Sequence, residues 1–104
     1  MEAVIKILQE IRKKLSNSFM CGVGIDQKEA QEVGEYLLNK CQELSAYYSP
    51  NNYLLKDLQE KATKIKQNEV PGYNKEIAVF ICSKLIERES LSQQGIVSNR
   101  EVWH

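Results

Sequence analysis

Histidine is nearly missing from this sequence: the single one, His104, is its last residue. Ser-His-Asp and Cys-His catalytic arrangements depend on a histidine held in a fixed geometry. Zinc sites with histidine ligands and di-iron bundles with a Glu-x-x-His pattern need one as well. We therefore expect no enzyme of these classes, no metal site and no cofactor.

The chain also lacks a disulfide pattern. Its three cysteines, at positions 21, 41 and 82, are odd in number, and none belongs to a CxxC pair. This usage is typical of reduced thiols in a cytosolic protein. Cys41 and Cys82 fall within helical apolar patterns, so both are interpreted as small core residues.

Long apolar runs are absent too. The longest, 77–82, is far too short to span a bilayer. Near the N-terminus, Glu2, Lys6 and Glu10 interrupt the apolar residues where a secretory signal would be continuous. The sequence therefore predicts a cytoplasmic protein without a membrane span.

The formal net charge is zero, because 14 basic residues balance 14 acidic ones. A neutral chain has no long-range field that would steer it toward nucleic acid or anionic lipid. If the basic helices predicted at 2–17 and 50–67 lay side by side, they could still form a stripe for weak nucleic-acid binding. The chain has only three arginines and many interleaved acids, which argue against that alternative.

What the sequence does contain is helical periodicity, which predicts four helices, at about 2–17, 26–47, 50–67 and 74–92. The second is the most clearly marked. Asp26 and Glu29 can form a capping box, and Ile25 can pack on Ala30 as a hydrophobic staple. Steps of three and four residues place its apolar positions on one face: Ala30, Val33, Leu37, Cys41, Leu44 and Tyr48.

The four helices predict an all-α fold, an antiparallel four-helix-bundle-like single domain over 1–95 with an extended tail over 96–104. Short connections make successive helices antiparallel. Net charge alternates along the chain, at +2 for 1–20, −3 for 21–48, +2 for 49–68 and −1 for 69–104. Each predicted helix therefore suits its chain neighbours electrostatically, although exposed ion pairs contribute less than about 1 kcal/mol each.

Glycines and prolines mark the connections. The apolar segment 19–25 has two glycines but no phosphate-loop motif, and we expect it to tuck under the bundle. Gly34 costs about 1 kcal/mol relative to Ala in mid-helix, which indicates a close helix crossing or a tolerated place at the edge of the stripe. For the third helix, Ser49 before Pro50 and Asn52 are rival N-caps.

The fourth helix has its own markers. A type II turn over 70–73 should precede it, with Asn74 as its N-cap. Its first half is apolar nearly all round, which predicts the most buried helix and favours self-association. A strand over 78–82 is the alternative, which the helical period of the residues that follow disfavours.

A cluster of tyrosines marks the corner between the second and third helices. Tyrosine is enriched in interface hot spots. Tyr48 continues the apolar stripe, whereas Tyr47 points about 100° away from it. The candidate partner-binding residues are accordingly Tyr47, Asn51 and Tyr53, with Trp103 from the tail. The alternative is that the tyrosines only close the end of the bundle.

Acidic residues give the second helix one further possibility. Glu32 and Glu35 lie one turn apart and could share a metal or a proton. The other interpretation of this set, which also includes Glu29 and Glu43, is a solvated acidic face opposite a basic neighbour.

Two family resemblances accompany these patterns. The segments LQEIR at 8–12 and CQELS at 41–45 resemble the characteristic stretches of the small helical aspartyl-phosphate phosphatases that regulate sporulation. That family's signature ends in an aspartate, where this chain has Ser45. In size, neutral charge and helix number the chain is similar to bacteriocin immunity proteins, a likeness of architecture alone. Neither resemblance assigns the chain to a family.

Taken together, these patterns predict a small non-enzymatic helical protein that acts by binding another protein, as an adaptor, inhibitor or immunity-type protein. A sporulation-type aspartyl-phosphate phosphatase, or another regulator of a two-component pathway, with Glu43 as the residue to test, is the alternative that the first resemblance implies.

Overall fold

The computed structural model describes residues 2–18 and 27–93, which form four α-helices and, within these ranges, no strand. The helices are α1 (Glu2–Ser16), α2 (Gln27–Leu44), α3 (Tyr53–Lys66) and α4 (Pro71–Gln93). The predicted all-α fold is confirmed. The predictions for the Asp26 cap, the apolar segment 19–25, Cys21 and the tail with Trp103 lie outside the described residues, and the division at residue 95 stays a prediction.

The helices form an antiparallel bundle in which each one packs against its neighbours in a cycle: α1 on α2, α2 on α3, α3 on α4 and α4 on α1. Contacts across the α1–α2 pair show the direction. Lys40 Nζ lies 3.2 Å from Glu10 Oε1, and one turn further along α1, Lys14 lies over the ring of Tyr36. The cycle places the two basic helices, α1 and α3, at diagonal corners of the bundle and not side by side.

One apolar stripe from each helix builds the core. The predicted stripe of α2 is confirmed, since its first five members are at most 2% exposed and Tyr48 is half-buried against the core. Residues 77–82 are helical, so the strand alternative is wrong. The other helices contribute Val4, Ile7, Leu8, Ile11 and Leu15; Leu55, Leu58, Ala62 and Ile65; and Ala78, Ile81, Cys82 and Leu85.

The connection from α2 to α3 is longer than predicted. Helix α2 ends at Leu44 rather than 47, and residues 45–47 form turns. Helix α3 begins at Tyr53 rather than 50, because Asn52 is its N-cap and accepts hydrogen bonds from the backbone N–H groups of residues 54 and 55. Pro50 instead lies in a turn closed by a 2.9 Å hydrogen bond from the Asn52 N–H to the Ser49 carbonyl.

Helix α4 begins at Pro71, three residues before the predicted start. Proline suits a first helical position because its missing N–H would have no intrahelical partner there. Asn74 is therefore inside the helix and buried, and not the N-cap. Its side-chain amide donates backwards to the carbonyls of Glu69, at 2.7 Å, and Val70, at 3.2 Å.

The turn before α4 has two residues with positive φ, Asn68 at 59° and Val70 at 41°. The Glu69 N–H donates to the Lys64 carbonyl and the Asn68 N–H to the Ile65 carbonyl, which is a Schellman motif that ends α3. Asparagine tolerates this conformation. A β-branched residue such as Val70 does so only under strain.

Helix α4 is not the most buried helix, contrary to the prediction. Phe80 is 61% exposed and Tyr73 is 63% exposed. A helix at the corner of a four-helix bundle buries one stripe only, and in α4 that stripe includes Ala78 and Cys82. The apolar residues on its opposite side consequently face solvent.

Gly34 lies where α2 and α3 cross closely, which is the first of the two interpretations that its mid-helix position left open. A Cβ atom at residue 34 would lie 2.5 Å from both the backbone N and the Cα of Lys66. Backbone atoms cannot move aside as the end of a side chain can. The crossing of α2 and α3 therefore requires a residue without a Cβ.

We predict that Gly34→Ala destabilises the fold by about 1–3 kcal/mol, since the cost of overpacking exceeds the gain in helix propensity of about 1 kcal/mol. Urea unfolding followed by circular dichroism measures the change. Gln31→Ala, at an exposed site one turn earlier in α2, should leave stability unchanged or slightly higher. A Gly34→Ala protein as stable as the parent would contradict the prediction.

Candidate functional site

The predicted partner-binding residues lie where α2 ends and α3 begins. Tyr47 is 45% exposed and Tyr53 is 61% exposed, and Asn51 is exposed in the turn between them. Trp103 lies outside the described residues. We call the set formed by Tyr47, Tyr48, Asn51 and Tyr53, together with the groove described below, the tyrosine corner.

Arg88 of α4 holds the exposed Tyr53 ring in place. Its guanidinium carbon lies 5.9 Å from the ring centroid, and its Nη2 donates a 3.2 Å hydrogen bond to the tyrosine hydroxyl. These contacts combine a cation–π interaction with a polar anchor. They limit the orientations available to an aromatic side chain that is otherwise free to contact a partner.

Glu89, the next residue of α4, anchors the other side of the corner. Its carboxylate accepts a 3.2 Å hydrogen bond from the Tyr48 hydroxyl, and the residue is only 4% exposed. Its second oxygen, Oε2, has no hydrogen-bond partner in the part of the chain that the structure describes. A buried carboxylate with so few partners makes the Tyr48 contact important for stability.

A groove of about 380 Å³ opens beside these tyrosines. Its apolar lining comes from Tyr48, Pro50 and Leu55, and Lys56 is exposed at its edge. Lys56 forms no ion pair with any residue between 2–18 or 27–93. Ser45 and Gln59 complete the lining. The groove therefore has a mixed apolar and polar lining, in which Lys56 is the charged residue.

The sequence missed two parts of this arrangement. Arg88 and Glu89 are distant from the tyrosines in the chain, and no local pattern indicated that α4 would bring them to the corner. The second part is the α4 outer face, which we define as Tyr73, Glu76, Ile77, Phe80, Lys84 and Glu87. Its aromatic members, Tyr73 and Phe80, are seven residues apart. The sequence predicted Tyr73 in the turn over 70–73 and Phe80 in a buried first half of the fourth helix, because nothing in the sequence says which of two apolar sides a helix buries.

The acidic side chains of α2 are exposed, and two of them form ion pairs. Glu35 Oε1 lies 3.8 Å from the Nζ of Lys66, and Glu43 Oε2 lies 3.5 Å from the Nζ of Lys40. Glu32 is exposed to solvent. Within the described residues, no group of three or more His, Cys, Asp or Glu side chains is placed to hold a metal ion.

Lys40 joins the two segments that resemble the phosphatase stretches. Its Nζ contacts Glu10 in the first segment as well as Glu43 in the second. Burial lowers the pKa of Lys40, but the hydrogen bond to Glu10 and the electrostatic effects of Tyr36, Glu10 and Glu43 together raise it by more, so the net pKa is above the ordinary value. The residue to test in that resemblance, Glu43, is thus paired with a firmly protonated lysine.

The two described thiols, Cys41 and Cys82, lie in the core. Burial raises the pKa of Cys41 to about 12. Burial, and then the nearness of Cys41, raises the pKa of Cys82 to about 12 as well, although Arg12 opposes this shift. The thiolate is the nucleophilic form of cysteine, so neither side chain is reactive at neutral pH.

No protein-family model matches the chain, and comparisons with curated proteins and with solved structures find no match. None of the helices that the structure describes has the length and apolar character needed to cross a membrane.

We predict that Tyr48→Phe destabilises the protein by about 1–3 kcal/mol, because the buried Glu89 carboxylate loses its hydrogen-bond donor. Tyr36→Phe is the matched control. Tyr36 is also half-buried, but Lys14 and Lys40 contact its ring, and the substitution keeps the ring. Chemical unfolding of both variants measures the difference, and equal stabilities would contradict the importance of the Glu89 contact.

We predict that Cys41 and Cys82 react with a thiol reagent at pH 8 only when the fold opens. The experiment uses the variant Cys21→Ser, in which Cys41 and Cys82 are the two remaining thiols. It compares the rate of thiol modification with and without denaturant. Because the folded-state pKa is raised, the stability that burial of the thiols contributes is complete below pH 9 and is lost as pH rises toward 12. Rapid modification of the native protein would show that the thiols are reactive in the folded state and would contradict the prediction.

Proposed function

We propose that the chain acts by binding another protein through the tyrosine corner, as an adaptor, inhibitor or immunity-type protein, without catalysis. The observation that carries the proposal is the pair of exposed tyrosines, 45% and 61% accessible, beside an apolar groove. Aromatic anchors next to a concave apolar surface are typical of interface hot spots.

The restricted orientation of the Tyr53 side chain supports this proposal. Binding is weakened by the entropy that a side chain loses when a partner fixes it. Arg88 already restricts the Tyr53 ring through its hydrogen bond and its position over the ring. The Asn52 cap and the turn at Pro50 fix the backbone between the two exposed tyrosines. A partner therefore meets a surface that is largely ordered in advance.

The charge at the groove indicates the kind of segment that would fit. Pro50 and Leu55 can surround an apolar side chain, and the exposed Lys56 at the rim favours a carboxylate next to it. We infer that the partner presents an apolar residue beside an aspartate or glutamate. The buried, protonated state of Cys41 and Cys82 accords with a function that uses no nucleophile.

We predict that Tyr47→Ala together with Tyr53→Ala abolishes capture of a partner that the parent chain retains from its native host. Each exposed aromatic anchor removed should cost about 1–2 kcal/mol or more of binding free energy. The partner identified by mass spectrometry is then purified and titrated calorimetrically, so that direct binding and not bulk capture is measured. Lys56→Glu should weaken the same interaction by opposing the partner's carboxylate.

The matched control is Gln31→Ala with Glu32→Ala, two exposed substitutions on α2 near the opposite end of the bundle. This variant should bind like the parent. Equal loss of binding in the control would show that the effect is not local to the tyrosine corner. Full binding by the tyrosine variant, or increased binding by Lys56→Glu, would overturn the proposed site.

A further inference from the structure

The α4 outer face carries two aromatic rings that the described part of the chain leaves largely exposed. Tyr73 is 63% exposed and Phe80 is 61% exposed, and the half-buried Ile77 lies between them along the helix. Residues seven apart lie on the same side of a helix, so both rings point outward in one line. An aromatic stripe of this kind on a small domain is typical of a protein-interaction surface.

Charged residues border this stripe in a definite order. Glu76 lies one turn before Phe80 and Lys84 one turn after it, and Glu87 follows at the end. Lys84 Nζ lies 5.6 Å from the centroid of the Phe80 ring. None of the three forms an ion pair with another of the residues described. Their charges are thus available to a partner.

The order of these charges is complementary to itself when reversed. Suppose that a second α4 packs antiparallel, with Phe80 of both copies at the two-fold axis. A residue n positions before Phe80 in one copy then lies at the same height along the helix axis as the residue n positions after Phe80 in the other. Glu76 then lies level with Lys84 of the second copy, and Tyr73 with Glu87 of that copy. Because the arrangement is symmetric, this placement of Glu76 opposite Lys84 across the axis occurs twice.

We propose that this face is an interface between two copies of the chain, which pair through antiparallel α4 helices centred on Phe80. A parallel arrangement would place Glu76 beside Glu76 and Lys84 beside Lys84, and like charges would oppose it. The apolar stripe supplies the favourable burial, and the charges select the antiparallel direction. This surface shares no residue with the tyrosine corner.

Sedimentation velocity over a range of concentrations tests the proposal. The parent chain is expected to show a concentration-dependent monomer–dimer equilibrium. Phe80→Glu should be monomeric throughout, since it places two like charges on the axis. Glu76→Lys and Lys84→Glu should each raise the dimer Kd roughly tenfold, because two weak attractions become repulsions. The double variant Glu76→Lys with Lys84→Glu should recover the Kd of the parent.

Glu32→Lys on α2 is the control. It makes the same change in charge as Glu76→Lys, at an exposed site outside α4, and this variant should dimerise like the parent. Circular dichroism of every variant verifies the fold. A monomeric parent at all concentrations, or a dimer that survives Phe80→Glu, overturns the interface. A double variant that stays as weak as the single ones overturns the antiparallel pairing. None of these outcomes depends on binding at the tyrosine corner.

Discussion

The passage of α2 over the end of α3 is the constraint on which the other helix positions depend. At Gly34 the backbone of Lys66 comes so close that no side chain fits between them. Helix α3 ends directly after this contact, in a Schellman motif with Asn68 at positive φ. Two residues later Val70 also has positive φ, and Pro71 begins α4. The turn that leads into α4 therefore starts next to a crossing that only glycine permits.

Charge reinforces the same arrangement without determining it. The segments that contain α1 and α3 carry +2 each, and those that contain α2 and α4 carry −3 and −1. In the cyclic bundle every helix consequently has two neighbours of opposite sign. The pairs Glu10–Lys40 and Glu35–Lys66 bridge neighbouring helices. Both pairs are in contact with solvent, although Lys40 is partly buried, and such pairs contribute about 1 kcal/mol or less each. They therefore favour this order of helices while the core supplies the stability.

Periodicity and end signals predicted the fold well, because both are local. The core stripe of α2, the close approach at Gly34 and the helical state of 77–82 all follow from residues within a few turns of each other. The errors occurred where two local rules competed. Pro50 could begin a helix or a turn, and Pro71 could occupy a turn or a first helical position. Which rule prevails depends on how far apart the bundle holds the helix ends, and that distance is not local. For the same reason, the meeting of Tyr48 with Glu89 and of Tyr53 with Arg88 could not be predicted.

Helix α4 shows why an apolar sequence does not specify burial. Its inner side packs with Ala78, Ile81, Cys82 and Leu85, residues of small or medium size that let α4 approach the core. Its outer side has the bulkier Tyr73 and Phe80, which would hold α4 away from the bundle if they faced inward. The difference in side-chain volume selects the inner face. The aromatic rings are then left outside because of their size, together with Glu76 and Lys84, whose charges the core could not accept unpaired.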